Sequence, residues 1–272
     1  MQKIGMIAGY GEHPIIFAKN ARLNDVEVVA IALKEQTSPL LAEHVDTIHW
    51  ISIGQLGRLI KLFKKEKITR AVMVGKIKKT LMFSNIRMDI KGISLWSRLS
   101  NRGDDAILRA VAEELENEGI ILEDNTPFIV PLLSESGLMT KRHLTSREKE
   151  DVMFGWKLAK EIGNLDIGQC VVVKDLTVLA IEAIEGTDQA ILRGGQLGGR
   201  GVLVIKVSKP NQDMRFDVPV VGAQTIRTMQ QVGASVLVVE TGRTLMFERE
   251  EMIRLANEAN ISILGTTNGK LS

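Results

Sequence analysis

Cysteine is almost missing: one residue in 272, Cys170. A single thiol excludes an intrachain disulfide framework and any multi-cysteine metal centre. Its setting, Gln169-Cys170-Val171-Val172-Val173, predicts a buried strand thiol rather than a nucleophile. An excess of either charge is missing too. The 35 Lys and Arg against 33 Asp and Glu leave a net charge of +2, without the strongly basic face that grips nucleic acid, and no nucleic-acid partner is expected. Long apolar runs are lacking; Val28 to Leu33 is typical of the longest, far short of the roughly 20 residues that span a bilayer. The opening Met1-Gln2-Lys3-Ile4-Gly5 leads straight into strand-like sequence, so no secretory leader is expected and the cytoplasm is the expected compartment. The four histidines, His13, His44, His49 and His143, lack metal-ligand spacing. Neither a Gly-x-Ser-x-Gly elbow nor a Walker lysine is found, which weighs against covalent catalysis and P-loop ATP hydrolysis. There is no internal repeat and no low-complexity tract.

What is present is the composition of a soluble globular protein, 44% apolar and 25% charged, long enough for one large domain or two ordinary ones. Ile4 to Ala8 reads as a buried parallel strand, followed by Gly9-Tyr10-Gly11 and a helix through about Leu23. Val26 to Leu33 and Ala71 to Gly75 are further strands, and residues 53–65 place Ile53, Leu56, Leu59, Ile60 and Phe63 on one helical face. Strand, helix and strand on short connections predict a parallel sheet of βαβ units, a Rossmann-like first half. The stretch 76–102 reads as irregular and basic, and a helix starts at Gly103-Asp104-Asp105. Residues 1–134 are expected to form the first domain, 135–144 a linker, and 145–272 a second α/β domain. Thr145 with Glu148 predicts a capping box at its first helix, Val171–Val173 and Val178–Ile184 a hairpin, and strands follow near 201–207, 236–239 and 261–264.

Several places could carry chemistry. Gly9-Tyr10-Gly11 could bring backbone N–H groups to an anion at a helix start, or could be a structural turn. The dinucleotide fingerprint is incomplete, with Pro14 at its third glycine and no acid closing the second strand, which argues against a nicotinamide oxidoreductase. Lys76 opens a basic stretch that could hold a diphosphate or be a solvated loop. Asp104 and Asp105 could cap their helix or take part in a site. Glu182 to Asp188 brings a glycine, a hydroxyl and carboxylates to a helix start, a set that suits a phosphoryl group or a divalent metal. N-capping by Thr187 or Asp188 is the plainer alternative. Lys206 would bring a cation to the C-terminal edge of a strand. Asp217, in Arg215-Phe216-Asp217-Val218-Pro219, could hold Mg²⁺, orient water or form a turn.

In combination, four stretches resemble the UDP-2,3-diacylglucosamine pyrophosphatases of the LpxI type: Arg102 to Arg109, Glu161 to Gln169, Glu182 to Asp188, and Phe216-Asp217-Val218-Pro219 with Gly222, Thr225 and Ile226. The resemblance runs over nearly the whole chain, with Tyr10 standing where the family's first turn has a middle glycine. It implies a two-domain enzyme with substrate between the domains. The expected reaction is hydrolysis of UDP-2,3-diacylglucosamine to UMP and 2,3-diacylglucosamine 1-phosphate in lipid A biosynthesis. Water would attack the sugar-side phosphorus with Mg²⁺ or Mn²⁺ present. The resemblance makes Asp217 the foremost catalytic position, binding Mg²⁺ or orienting the water; Thr187 is the other catalytic candidate, and Glu182 and Glu185 are second-choice metal ligands beside Asp217. It gives Gly9, Tyr10, Gly11, Gly75, Lys76, Asp104, Asp105, Gly168, Gln169, Glu185, Gly186, Asp188, Lys206 and Thr225 as substrate contacts. The lipid substrate implies transient contact with the inner face of the cytoplasmic membrane and an apolar groove within 82–99. The oligomeric state stays open, a homodimer being one form. A non-catalytic nucleotide- or lipid-binding regulator is the alternative.

Overall fold

The computed structural model describes residues 2–34, 36–77, 88–99, 104–216 and 218–270, the side chains of Asp104 and Asp105 excepted. The chain forms two units: Met1–Val130 with Asp213–Asp217, and Pro131–Gln212 with Val218–Ser272.

In the first unit the order is β1 (Gln2–Ala8), α1 (His13–Leu23), β2 (Val26–Leu33), β3 (Thr47–Ile51), α2 (Leu56–Lys65), β4 (Arg70–Val74), α3 (Ile90–Arg98), α4 (Asp104–Asn117) and β5 (Ile121–Glu123). The strands make one parallel sheet, ordered β3-β2-β1-β4-β5. Alternation along β1 explains its double burial. Ile4, Met6 and Ala8 join Phe17, Ala18 and Ala21 of α1 on one face, while Ile7 joins Leu59, Ile60 and Phe63 of α2 on the other. Between β1 and β4 the strand order reverses, which in doubly wound sheets opens a crevice at the strands' C-terminal ends.

The second unit contains β6 (Gly137–Leu138), α5 (Ser146–Asn164), β7 (Cys170–Lys174), β8 (Thr177–Ile181), α6 (Thr187–Gly198), β9 (Leu203–Lys206), β10 (Val220–Val221), α7 (Ala223–Val232), β11 (Val236–Glu240), β12 (Leu245–Met246), α8 (Arg249–Glu258) and β13 (Ser262–Thr266). Its main sheet is ordered β6-β13-β11-β9-β7-β8, parallel through β13, β11 and β9 and antiparallel at both flanks. Cys170 and Val172 face one core with Ile191 and Ile226, and Val171 and Val173 face another with Val152 and Trp156. Cys170 is thus the buried strand thiol its neighbours predicted. The Thr145–Glu148 capping box forms as the spacing predicted.

Three local expectations change. The second helix begins at Leu56 rather than 53, because Ser52 and Gln55 close a turn ahead of it through a Ser52 N–H to Gln55 Oε1 bond of 2.9 Å. The stretch 76–102 is not irregular throughout; α3 lies in it, capped by the Asp89 side chain on the Gly92 N–H at 2.9 Å. The 135–144 segment expected as a linker carries β6, paired with β13, and the Thr140 hydroxyl accepts the Ile263 N–H at 2.9 Å.

Candidate active site

At the C-terminal edge of the second unit's sheet, Lys206 ends β9 and is buried. Its ammonium donates to Thr187 Oγ1 at 2.7 Å and to the Val220 carbonyl at 2.9 Å. An ammonium has three N–H donors, so one is without an acceptor among the described residues. The Thr187 hydroxyl in turn donates to Glu182 Oε1 at 2.8 Å. Glu182 Oε2 is buried with no hydrogen-bond partner among the described residues.

The N-cap of α6 is Gly186, at φ 85°, so neither Thr187 nor Asp188 takes the capping role. The Thr187 hydroxyl instead bridges Lys206 and Glu182. The first helical bond runs from Ala190 N–H to Gly186 C=O, and helix geometry leaves the N–H groups of Thr187, Asp188 and Gln189 without intrahelical acceptors. The Lys206–Val220 bond draws in the segment leading to α7, whose N-cap is Gly222. Thr225 is buried there and its hydroxyl accepts the Gly222 N–H at 3.3 Å. The start of α6 and the approach to α7 therefore meet at one ammonium, a setting that favours anions.

Gly168 and Gln169 flank the same edge. A Cβ at Gly168 would run into the Glu182 carbonyl oxygen, so only glycine lets the segment before β7 approach the one after β8. The Gln169 carbonyl accepts the Val207 N–H at 2.9 Å. Burial pushes the Cys170 thiol up, Glu182 adds to the effect, and Lys206 opposes it. Glu185 stands apart. Its carboxylate accepts from Arg193 at 2.6 Å and from the Ala183 N–H at 3.2 Å. Its own backbone N–H, first, and Arg193 hold it below the usual carboxylate range.

The first unit brings Gly9, Tyr10, Gly75 and Lys76 together at the crevice beside β1 and β4. The Tyr10 N–H meets the Lys76 carbonyl at 2.6 Å, and the Lys76 N–H meets the Tyr10 carbonyl at 3.0 Å. A Cβ at Gly9 would lie 2.5 Å from the Lys76 oxygen, and Gly75 sits at φ 96°. With the Gly9 N–H on the Val74 carbonyl at 2.8 Å, two N–H groups of the expected anion turn are already used inside the unit. Gly11, at φ 101°, and the start of α1 are what remain of it. His13, which the sequence marked only as lacking metal-ligand spacing, is buried at the start of α1. Burial, with help from the Lys76 charge, pushes it down to about 4, so it is neutral near pH 7. Pro14, which marks the first turn of α1, was the available signal.

Asp217 and the side chains of Asp104 and Asp105 lie outside the described residues, as do Met82 and Phe83 of the expected groove. Within that groove Leu95 is a core residue, whereas Ile90 and Ile93 are exposed. Among the described residues no three His, Cys, Asp or Glu side chains converge on a metal position. Among them, too, no helix is long and apolar enough to cross a membrane.

Residues 3–132 match the family model described as the LpxI N-terminal domain, and residues 135–264 the LpxI C-terminal domain. A curated relative named UDP-2,3-diacylglucosamine pyrophosphatase LpxI, from Caulobacter vibrioides, is 31% identical over 277 residues, covering 97% of this chain and 98% of the relative. The chain belongs to the LpxI family. Membership embraces both units, and the site residues Glu182, Thr187 and Lys206 all fall in the part matched by the LpxI C-terminal domain. A solved phosphoribosylglycinamide synthetase from Anaerococcus prevotii is 12% identical with a TM-score of 0.27, covering 64% of this chain and 31% of that one. That likeness is too slight to bear on function.

Proposed function

We propose that this LpxI family member hydrolyses the diphosphate of UDP-2,3-diacylglucosamine to UMP and 2,3-diacylglucosamine 1-phosphate, a step in lipid A biosynthesis. The observation that carries the reading is the buried Lys206 ammonium at the start of α6, with one N–H unengaged among the described residues, in a chain matched over 97% of its length by a relative named for that activity. A diphosphate resists attack because its oxygens repel a nucleophile, and fixed donors aimed at those oxygens lower the barrier. Lys206 and the N–H groups at the start of α6 would bind the bridging and leaving phosphate oxygens. Thr187 would hold the ammonium in place by accepting one of its N–H hydrogen bonds while donating its own to Glu182. Asp217, by the family's motif, would orient the water. Attack forms a new P–O bond at the sugar-side phosphorus and breaks the bond to the bridging oxygen, which leaves with UMP.

Mg²⁺ or Mn²⁺ belongs to the proposal. The Glu182 oxygen that has no partner among the described residues suits a hard cation, and Glu182, with Asp217 by the family's motif, would hold it. Glu185, engaged with Arg193, fits that role less well. Such an ion supplies charge neutralisation of the diphosphate. The lipid substrate further leads us to propose transient contact with the inner face of the cytoplasmic membrane. Exposed Ile90 and Ile93 on α3 offer it an apolar face. Co-sedimentation with anionic vesicles carrying substrate is expected, and a protein left wholly in the supernatant would remove that part.

The test of the reaction is incubation with UDP-2,3-diacylglucosamine in ¹⁸O water, with Mg²⁺ or with EDTA. Expected is unlabelled UMP, label in the lipid phosphate, and no release in EDTA. Labelled UMP would move the attack to the other phosphorus. Substrate binding without UMP release would make the protein a binding regulator.

A further inference from the structure

We infer that Glu240 is a positioning residue for this reaction, acting through Ser208 on the strand end that carries Lys206. The inference rests on the proposed hydrolysis. Glu240 ends β11 and is buried. Its Oε2 accepts from the Lys160 ammonium at 2.6 Å, from the Ser208 N–H at 2.8 Å and from the Ser208 hydroxyl at 2.8 Å. The same ammonium donates to the Ser208 carbonyl at 2.8 Å. One ion pair therefore grips the N–H, the carbonyl and the side chain of a single residue.

Ser208 lies two residues beyond Lys206. In extended chain, alternate residues face the same side, and the Val207 N–H to the Gln169 carbonyl, at 2.9 Å, carries the extended register across the interval. Lys206 is thus held from both ends: through its ammonium by Thr187 and Val220, and through its backbone by β7 and the Glu240 clamp. Glu240 itself is tied down, because its carbonyl accepts the Ser134 hydroxyl at 2.6 Å. A buried ion pair is a poor way to gain stability, since apolar residues of like volume do as well. What three directed hydrogen bonds at one oxygen supply is position. Misplacement of a catalytic donor by about 1 Å lowers rate by up to about a hundredfold. Among the described residues the Lys206 ammonium bonds Thr187 and Val220 and the Glu240 carboxylate bonds Lys160 and Ser208, so the effect of Glu240 would pass through the strand.

The experiment is steady-state UMP release by Glu240→Gln, Lys206→Met and the double variant, alongside the wild type. Gln keeps the size of Glu240 but cannot accept all three donors. Expected is a fall in kcat of about tenfold for Glu240→Gln, with KM within about twofold. In the Lys206→Met background, adding Glu240→Gln should lower kcat no further, because both changes disable one donor. An undiminished kcat in Glu240→Gln overturns the inference, as does a tenfold loss that persists without Lys206. Should Glu240→Gln not fold, Ser208→Ala removes one of the three bonds. A loss of about threefold, also absent without Lys206, is then expected, and full activity refutes the clamp. A wild type that binds the lipid nucleotide but releases no UMP overturns the proposed reaction itself, a result distinct from any variant's.

Discussion

Two of the three ammonium donors of Lys206 are spent on Thr187 and Val220, and the third, unengaged among the described residues, is the group the proposed chemistry uses. Lys206→Met keeps the apolar stem without any donor. It is expected to lower kcat/KM for UMP release by about 10²- to 10³-fold, the usual effect of removing a fixed transition-state donor, together with a lower Tm because the half-buried Val220 carbonyl loses its donor. His13 lends itself to a pH test. Its folded pKa, about 4, lies below the ordinary 6.5, so as pH falls the unfolded chain takes up the proton first. The stability due to neutral His13 is full above pH 6.5 and is lost as pH falls toward 4. Urea unfolding should show a loss of about 2 kcal/mol between pH 6.5 and 4.5 from this group, and His13→Gln should flatten that slope. The sequence could suggest Lys206 because it closes a Val-Leu-Val-Ile run, and Thr187 because it follows a glycine. It could not suggest Glu240, since the partners Lys160 and Ser208 stand 80 and 32 positions away and only the fold makes them neighbours.

Glycines at the element boundaries act in two ways that substitution separates. Gly168 lies against the Glu182 carbonyl, a backbone group that cannot swing aside. Gly168→Ala is expected to destabilise by about 2–3 kcal/mol through forced backbone shifts and to lower activity by moving Glu182. Gly186, at φ 85°, has open space around it and asks only for an unusual backbone conformation. Gly186→Ala should cost about 1 kcal/mol. Urea midpoints of the two variants, measured side by side, check the order. Strands buried on both faces, such as β1 and β2, were legible as continuous apolar runs, and α5 announced itself by its capping box. β3 was not legible, because Thr47-Ile48-His49-Trp50 is only half-buried and mixes polar with apolar residues. β6 escaped notice as well, being two residues long and set among turn-forming ones.

On the scale of the whole molecule, the chain leaves the second unit after Gln212, contributes Asp213–Asp217 to the first, and returns at Val218. Arg215 pairs with Asp213 at 2.8 Å and with Glu116 of α4 at 3.2 Å, and Phe216 packs against the first unit's core. Phe216→Ala should destabilise by about 1–2 kcal/mol, less than for a fully buried ring, measured by urea unfolding. Because Asp217 is its neighbour in sequence, the same variant should also lose turnover. The two-domain organisation was legible from the change of pattern along the sequence. The excursion was not, since five residues carry no periodicity that betrays which core they join.

That excursion limits how the family can be recombined. A chimera cut near residue 133, where the two family domains part, looks like an exchange of whole modules. It would nonetheless fit one parent's Phe216 and Arg215 to the other parent's core and α4. A working hybrid would have to carry residues 213–217 over with the N-terminal half, as an island of one parent inside the sequence of the other.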